Sequence, residues 1–319
     1  MKALDFNNFV AQLDVLSEVQ REALMAALKG KGSANKMIAL IETQFAGHPC
    51  CGHCKSEHIK LWGHASGLRR YRCRDCKRTF NALTGTPLAQ LHRRDAWLDY
   101  ARAFVDCTSL RKAARRAQVC LDTSFRWRHR FLMAARDKRP SEVTGIVEAD
   151  ETLFLKSQKG ARKVVGRKPR KRGGKAPKAG TSLKAYDIVL IVRDRHKATA
   201  DYILPDFKGL TFEHHLDPIV NRDSVLVSDG RSCYKTFAHD RAMSHVAVIA
   251  RRGERVKGGL HIQNVNGYIT RLKDWLRSFK GVASKYLASY LGWRRMIERC
   301  GDRLTPRHLI AEALGAVAA

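Results

Sequence analysis

No apolar run in the 319-residue chain approaches the ~20 residues needed to cross a bilayer. The N-terminus also lacks a charged stretch followed by an apolar core and a cleavage site, so no secretory leader is expected and the chain is placed in the cytosol. Acidic residues are scarce: 30 Asp and Glu stand against 60 Lys and Arg, a formal charge of +30 and a pI near 10.2. Solubility needs far less, so the excess implies a polyanionic partner and no membrane. No internal repeat is visible. A disulfide framework is also disfavoured, because nine cysteines are an odd number and four of them fall in two CxxC pairs, a pattern that favours metal ligation in a reducing compartment. What remains is a globular chain, 44% apolar, long enough for two or three small domains.

Its segments differ in character. Residues 1–46 form a helical N-terminal leader, with Phe9, Leu13, Leu16, Leu24, Leu28, Met37, Leu40 and Ile41 at helical spacing and Gly30 to Ser33 read as a break. Residues 47–83 are rich in Cys, Gly, His and aromatics, and residues 84–140 return to a basic helical pattern. From Thr144 short β-rich runs follow: 145–150, 188–192, 198–204, 224–228 and 246–249. Helical patterns at 262–280 and 284–298 make residues 141–300 an α/β domain with a mixed sheet, leaving 301–319 as a C-terminal tail.

Cys51-Gly52-His53-Cys54 and Cys73-Arg74-Asp75-Cys76 are two knuckles separated by eighteen residues, the arrangement that closes a tetrahedral thiolate site. Four thiolates leave no open position for water, so a structural zinc is expected at Cys51, Cys54, Cys73 and Cys76. Cys50 adjoins the first knuckle and could stand in register for Cys51. Residues 59–63 and 68–72 read as the strands of a hairpin between the knuckles.

Leu110 to Arg115 and Thr123 to Leu132 read as two helices joined by a tight turn, a helix-turn-helix pattern. Arg126, Arg128, His129 and Arg130 are expected to face DNA, with Phe125, Trp127 and Phe131 holding the helix from its buried side. A basic bundle without base readout is the plainer alternative. Residues 156–180 hold eleven Lys or Arg and no acid, a composition that cannot bury apolar surface. This basic insertion is read as an arm that folds against phosphates through Arg167, Lys168, Arg170, Lys171 and Arg172, rather than as a solvated loop.

Asp150 ends the apolar run 147–150, and Asp229 ends 225–228. Two carboxylates at strand ends can converge on one cleft and hold hard cations such as Mg²⁺ or Mn²⁺, which activate an attacking oxygen and stabilise a leaving one in phosphoryl transfer. A turn or helix cap is the bland alternative for each.

Taken in order, the zinc ribbon, the Thr-Ser-Phe-Arg-Trp-Arg-His-Arg segment, the Glu-Ala-Asp-Glu-Thr box and the Ser-Asp-Gly box resemble the zinc-ribbon branch of the DDE-type transposases of bacterial insertion sequences, with an ISXO2-like transposase domain. The resemblance runs from about residue 47 to residue 291. It implies an RNase H-like catalytic domain, with the first Asp on the first strand, the second on the fourth and a third residue on a helix after the fifth. In Asn264-Val265-Asn266-Gly267-Tyr268 the family's Asn-x-x-Glu-Gly-Phe box is shifted, and Asn266 takes the place of the catalytic Glu. Lys273 follows seven residues on, as in groups of this branch with an Asp-Asp-Asn-Lys set. Asn offers a neutral oxygen and no charge, so it should hold a second cation more weakly than Glu, while the Lys273 ammonium can meet a phosphate two turns along the same face. Trp293 to Glu298 replaces the family's usual aromatic, Asn-containing ending.

The resemblance implies a cytoplasmic, nucleoid-associated enzyme that binds terminal inverted repeats and target DNA as a homo-oligomer. It carries structural Zn²⁺ and catalytic Mg²⁺ or Mn²⁺, and it cleaves and transfers strands. Two alternatives stay open: a catalytically inactive DNA-binding protein or regulator built from such an enzyme, and a nuclease of RNase H type without strand transfer.

Overall fold

The computed structural model describes residues 8, 10–169 and 182–315. The chain divides into two compact units, one within Met1–Phe131 and Leu304–Ala319 and the other Leu132–Arg303. The division falls inside the 84–140 segment, and no described helix is long and apolar enough to cross a membrane.

In the first unit a short 3-10 turn, Gln12–Val15, precedes one long helix, Glu18–Gly47, opened by a capping box in which the Gln20 N–H donates to Ser17 Oγ and the Ser17 N–H donates to Gln20 Oε1. The break expected at Gly30 to Ser33 does not occur. Glycine costs only about 1 kcal/mol against alanine in a helix, and without a proline the backbone hydrogen bonds can run through. Three antiparallel strands follow in the order β1 (Ile59–Ala65), β2 (Leu68–Cys73) and β3 (Thr79–Asn81). The first two form the expected hairpin; the third carries no sequence signal, because Thr79–Asn81 is too short to show a period. Helices Trp97–Val105, Leu110–Arg116 and Leu121–Phe131 come next. The expected tail instead forms helix Pro306–Ala313, which buries Leu309 and Ile310 and packs on Trp97–Val105. Thr305 caps it, accepting from the His308 N–H, and Pro306 sits where a missing N–H costs nothing.

The second unit is built on a five-stranded sheet of β4 (Ile146–Leu155), β5 (Tyr186–Asp194), β6 (Thr199–Leu204), β7 (Val225–Ser228) and β8 (Ser244–Ala247), in spatial order β6-β5-β4-β7-β8. In order of appearance this is 3-2-1-4-5, antiparallel across the first three and parallel from β4 to β7 to β8. Strand pleating sends alternate side chains to opposite faces. Val147 and Ala149 join one core with Phe212 and Leu216 of helix Gly209–Leu216 and Tyr234 and Phe237 of helix Ser232–Asp240. Glu148 and Asp150 therefore point to the other face, which helix Gln263–Arg277 covers. The stretch Trp293 to Glu298 is firmly built in: Trp293 is fully buried, Arg295 pairs with Asp201, and Glu298 pairs with Arg193 and Arg294.

Candidate active site and metal centre

Sulfur atoms of Cys51, Cys54, Cys73 and Cys76 lie within 4.8 Å of one another, with Cys51–Cys76 at 3.7 Å and Cys54–Cys73 at 3.6 Å. A tetrahedral ion bonded at ~2.3 Å would space its ligands by about 3.8 Å, so the four thiols fit such an ion and are too far apart for disulfides. Cys51, not Cys50, occupies the first position. The residue after each knuckle, Lys55 and Lys77, adopts a left-handed conformation with φ of 64° and 60°, the twist that turns the backbone around a metal knuckle. Gly52 is confined: a side chain there would meet Thr84 O at 2.3 Å.

The second basic helix buries a different face from the one expected. Ser124, Trp127, Arg128 and Phe131 are buried, spaced i, i+3, i+4, i+7, whereas Phe125 is 37% exposed. Arg128 is not available to DNA: it is 0% exposed, donates to Thr108 O at 2.8 Å and lies over the Phe104 ring. Arg130 is also engaged, bonding the carbonyls of Pro87 and Ala89. Arg126 remains exposed and His129 half-buried. In the basic insertion Arg167 and Lys168 are described, the former half-buried and the latter exposed; Arg170, Lys171 and Arg172 lie outside the described residues.

The carboxylates do converge. Oxygen atoms of Asp150, Glu151 and Asp229 lie within 4.8 Å of one another. Asp150 is not at a strand end as expected, since β4 runs on to Leu155. It is β7 that stops short, pairing with β4 only at Ile146–Glu148, so β4 is uncovered on that side from Ala149 onward and Asp229, just past the end of β7, reaches the gap. Gly230 makes the turn at φ 86°, where a side chain would press on Ala247 and Ile249.

Burial pushes the Asp150 carboxyl up to about 6, aided by the Asp229 charge and opposed by the Glu151 backbone N–H, Arg231 and Lys273. Burial likewise pushes Glu151 up to about 7, against the pull of the Tyr234 hydroxyl and Arg231, whose Nε stands 3.1 Å from Glu151 Oε2. The Glu151 side chain is only 3% exposed, and its oxygens have no well-formed hydrogen bond among the described residues. Enclosed carboxylates with spare lone pairs fit a hard cation. In the sequence Glu151 is masked by its neighbour Asp150, which already fills the role; only its convergence on Asp229 marks it.

Lys273, half-buried, is near enough to Asp150 to pull on its titration, which puts helix Gln263–Arg277 beside the carboxylates. Asn266 is exposed on the first turn of that helix, its N–H bonded to Ile262 O. What fixes the helix is Glu148, the first residue of the Glu-Ala-Asp-Glu-Thr box, to which the sequence assigns no role of its own. Fully buried, it accepts from the Val265 N–H at 2.9 Å and Asn264 Nδ2 at 2.8 Å, with Arg195 Nε at 3.2 Å. The carboxylate does from the strand what a capping side chain does from within a helix, since Ile262 at the cap position has no such group. Glu148→Ala is expected to orphan these donors at about 1–3 kcal/mol each. Amide exchange at Val265 should accelerate by at least about tenfold, the factor for ~1.4 kcal/mol, whereas Glu148→Gln, which keeps an acceptor, should lose less. Unchanged exchange in the Ala variant would remove Glu148 from this role.

Residues 142–294 match the ISXO2-like transposase domain family. Over 248 residues, 76% of this chain and 82% of the other, the chain is 27% identical to a protein of Halobacterium salinarum described as an uncharacterized protein in transposable element ISH50.

Proposed function

We propose, from the match of residues 142–294 to the ISXO2-like transposase domain family, that the chain is the transposase of an insertion sequence that cuts and joins DNA at the element's ends. The observation that carries this reading is the convergence of Asp150, Glu151 and Asp229 at the uncovered side of the central strand in a 3-2-1-4-5 sheet. That strand order supports an RNase H-like catalytic domain.

Asp150 and Asp229 would hold Mg²⁺ or Mn²⁺, with Asn266 completing the set and the buried Glu151 adding the negative charge that Asn266 lacks. The chemistry such ions supply is activation of an attacking oxygen, from water or a 3′-hydroxyl, and stabilisation of the leaving one. Lys273 neutralises a phosphate beside Asp150. Glu148 keeps the helix that carries Asn266 and Lys273 in register with the strand that carries Asp150.

Zinc at the four cysteines stabilises the ribbon. Arg126, with His129 beside it, faces the terminal repeats, and the basic insertion, Arg167 and Lys168 included, tracks phosphates. Joining two ends calls for at least two copies on DNA, and a DNA substrate of this kind would be met at the nucleoid in the cytoplasm.

The test is a cleavage and joining assay with purified zinc-loaded protein, Mg²⁺ or Mn²⁺, and duplexes bearing the ends of the flanking element. Nicking at those ends followed by a strand-transfer product is expected. Nicking without joining would identify a nuclease, and tight binding with no nicking would identify a DNA-binding protein derived from a transposase.

A further inference from the structure

Beside the carboxylates lies an open cavity of about 460 Å³ whose apolar half takes no part in the proposed reaction. It is bounded by the far end of β4, the second half of helix Gln263–Arg277 and the segment 281–287. Its volume is within the ~300–1,000 Å³ usual for small-ligand clefts. Phe154 and Leu276 make an apolar wall, Lys273 and Arg277 stand on one side, and Asp187, paired with Phe154 across β4 and β5, offers an acceptor. Phe154 is only half-buried, so the wall is open to an incoming group.

Lys273 belongs both to this cavity and to the surroundings of Asp150. Phe154 lies four residues beyond Asp150 on the same strand, on the order of 13 Å at the usual rise. The cavity is therefore within reach of a strand, a few nucleotides away, whose phosphate meets the carboxylates.

We propose that this cavity receives an unstacked nucleobase of the DNA strand being cut, with Phe154 and Leu276 against its face, Asp187 at its N–H edge, and Lys273 and Arg277 at the adjoining phosphates. The proposal rests on the transposase reading. A base combines a flat apolar face with a polar edge and carries its charge on the attached phosphate, and the walls divide in the same way. Aromatic stacking on an extruded base is independent of sequence and offsets part of the cost of unstacking.

The rim is already held in place. The Ser157 N–H donates to Ser284 Oγ at 2.9 Å and the Ser284 N–H donates to Ser157 O at 2.8 Å. Lys159 Nζ donates to the carbonyls of Lys280 and Gly281 at 3.0 and 2.8 Å. These bonds fix the segment 281–287 before any ligand arrives, which lowers the ordering cost of binding. They also hold the first residues of the basic insertion, Ser157 and Lys159, at the cavity mouth.

The test uses the full zinc-loaded chain and element-end duplexes carrying 2-aminopurine at successive positions around the cut, in Ca²⁺ to separate binding from cleavage. A several-fold fluorescence rise at one position is expected, lost in Phe154→Ala and weakened in Arg277→Glu, an exposed site where the fold tolerates charge. In Mg²⁺, Phe154→Ala should cut about 10–100-fold more slowly, and an abasic nucleotide at the bright position should restore most of that loss. No bright position in a wild type that cuts, a rise that survives both variants, or an Arg277→Glu effect confined to oligomeric state overturns the proposal. A wild type that never cuts overturns the transposase reading alone, because the fluorescence scan still reads the cavity.

Discussion

Asp150→Asn and Asp229→Asn will each slow metal-dependent strand cleavage by on the order of 10³-fold, about 4 kcal/mol of transition-state stabilisation, without loss of DNA binding. The same Asp150 change will raise the stability of the metal-free protein at neutral pH. Its folded-state value is raised to about 6 from an ordinary 3.8, chiefly by burial, and that of Glu151 to about 7 from 4.5. A carboxyl raised in this way binds more protons folded than unfolded between the two values, so stability falls as pH rises from about 4 to about 7. The stabilisation present at low pH is gone above that window. The side-chain amide introduced by Asp150→Asn cannot ionise, so this variant should recover about 1–3 kcal/mol at pH 8 and flatten the pH profile. Mg²⁺ should act differently on the two proteins: it should stabilise the wild type progressively above about pH 6, where protons no longer compete, and leave the variant nearly unmoved. Chemical denaturation across about pH 4–8, with and without Mg²⁺, measures all of this. A variant that cuts DNA at the wild-type rate, or a wild type indifferent to Mg²⁺ at pH 8, would remove Asp150 from the metal site.

Stripping zinc, or Cys73→Ser, will unfold the ribbon. The strands β1 to β3 enclose a very small core, with Cys51, Cys73 and Phe80 buried and Phe45, Ile59, Tyr71 and Cys76 packed partly against it. Two of the three buried residues are themselves ligands, so little apolar burial remains to offset the chain entropy of ordering the hairpin. A structural ion at the four thiols would close that gap, and its loss should then cost on the order of 5 kcal/mol or more. One zinc per chain by metal analysis, with fast amide exchange across Ile59–Cys73 in the variant, is the expected result. Full exchange protection with no metal bound would mean that the four thiols need no ion. Cys50→Ser should retain the zinc, because Cys51 takes the first position.

The zinc knuckles are legible in the sequence because their information is local. Two residues between ligands fix a turn, and the turn fixes the donor set. The five strands are legible for a similar reason, since runs such as 188–192 are apolar enough to be buried on both faces. Helix Leu121–Phe131 misleads when its chemistry is weighed above its period. Arg128 is basic, yet it lies on the stripe shared by Ser124, Trp127 and Phe131, and the guanidinium finds its partners inside. The leader misleads in the other direction: its pair of glycines looks like a stop, whereas the helix only needs to be somewhat less stable there.

By itself the sequence determined what depends on neighbours along the chain: the thiolate spacing, the strand-forming runs, the charge excess that calls for a polyanion, and two aspartates that end apolar runs. Tertiary structure decided what depends on strands and helices far apart in sequence. The early end of β7 opened a gap where Asp229 meets Asp150, burial made a third acid of Glu151, and Glu148 became the cap of a helix that begins more than a hundred residues later. None of these can be read from a pattern, because a carboxylate acquires its role from the dielectric and the donors around it, and folding alone brings those together.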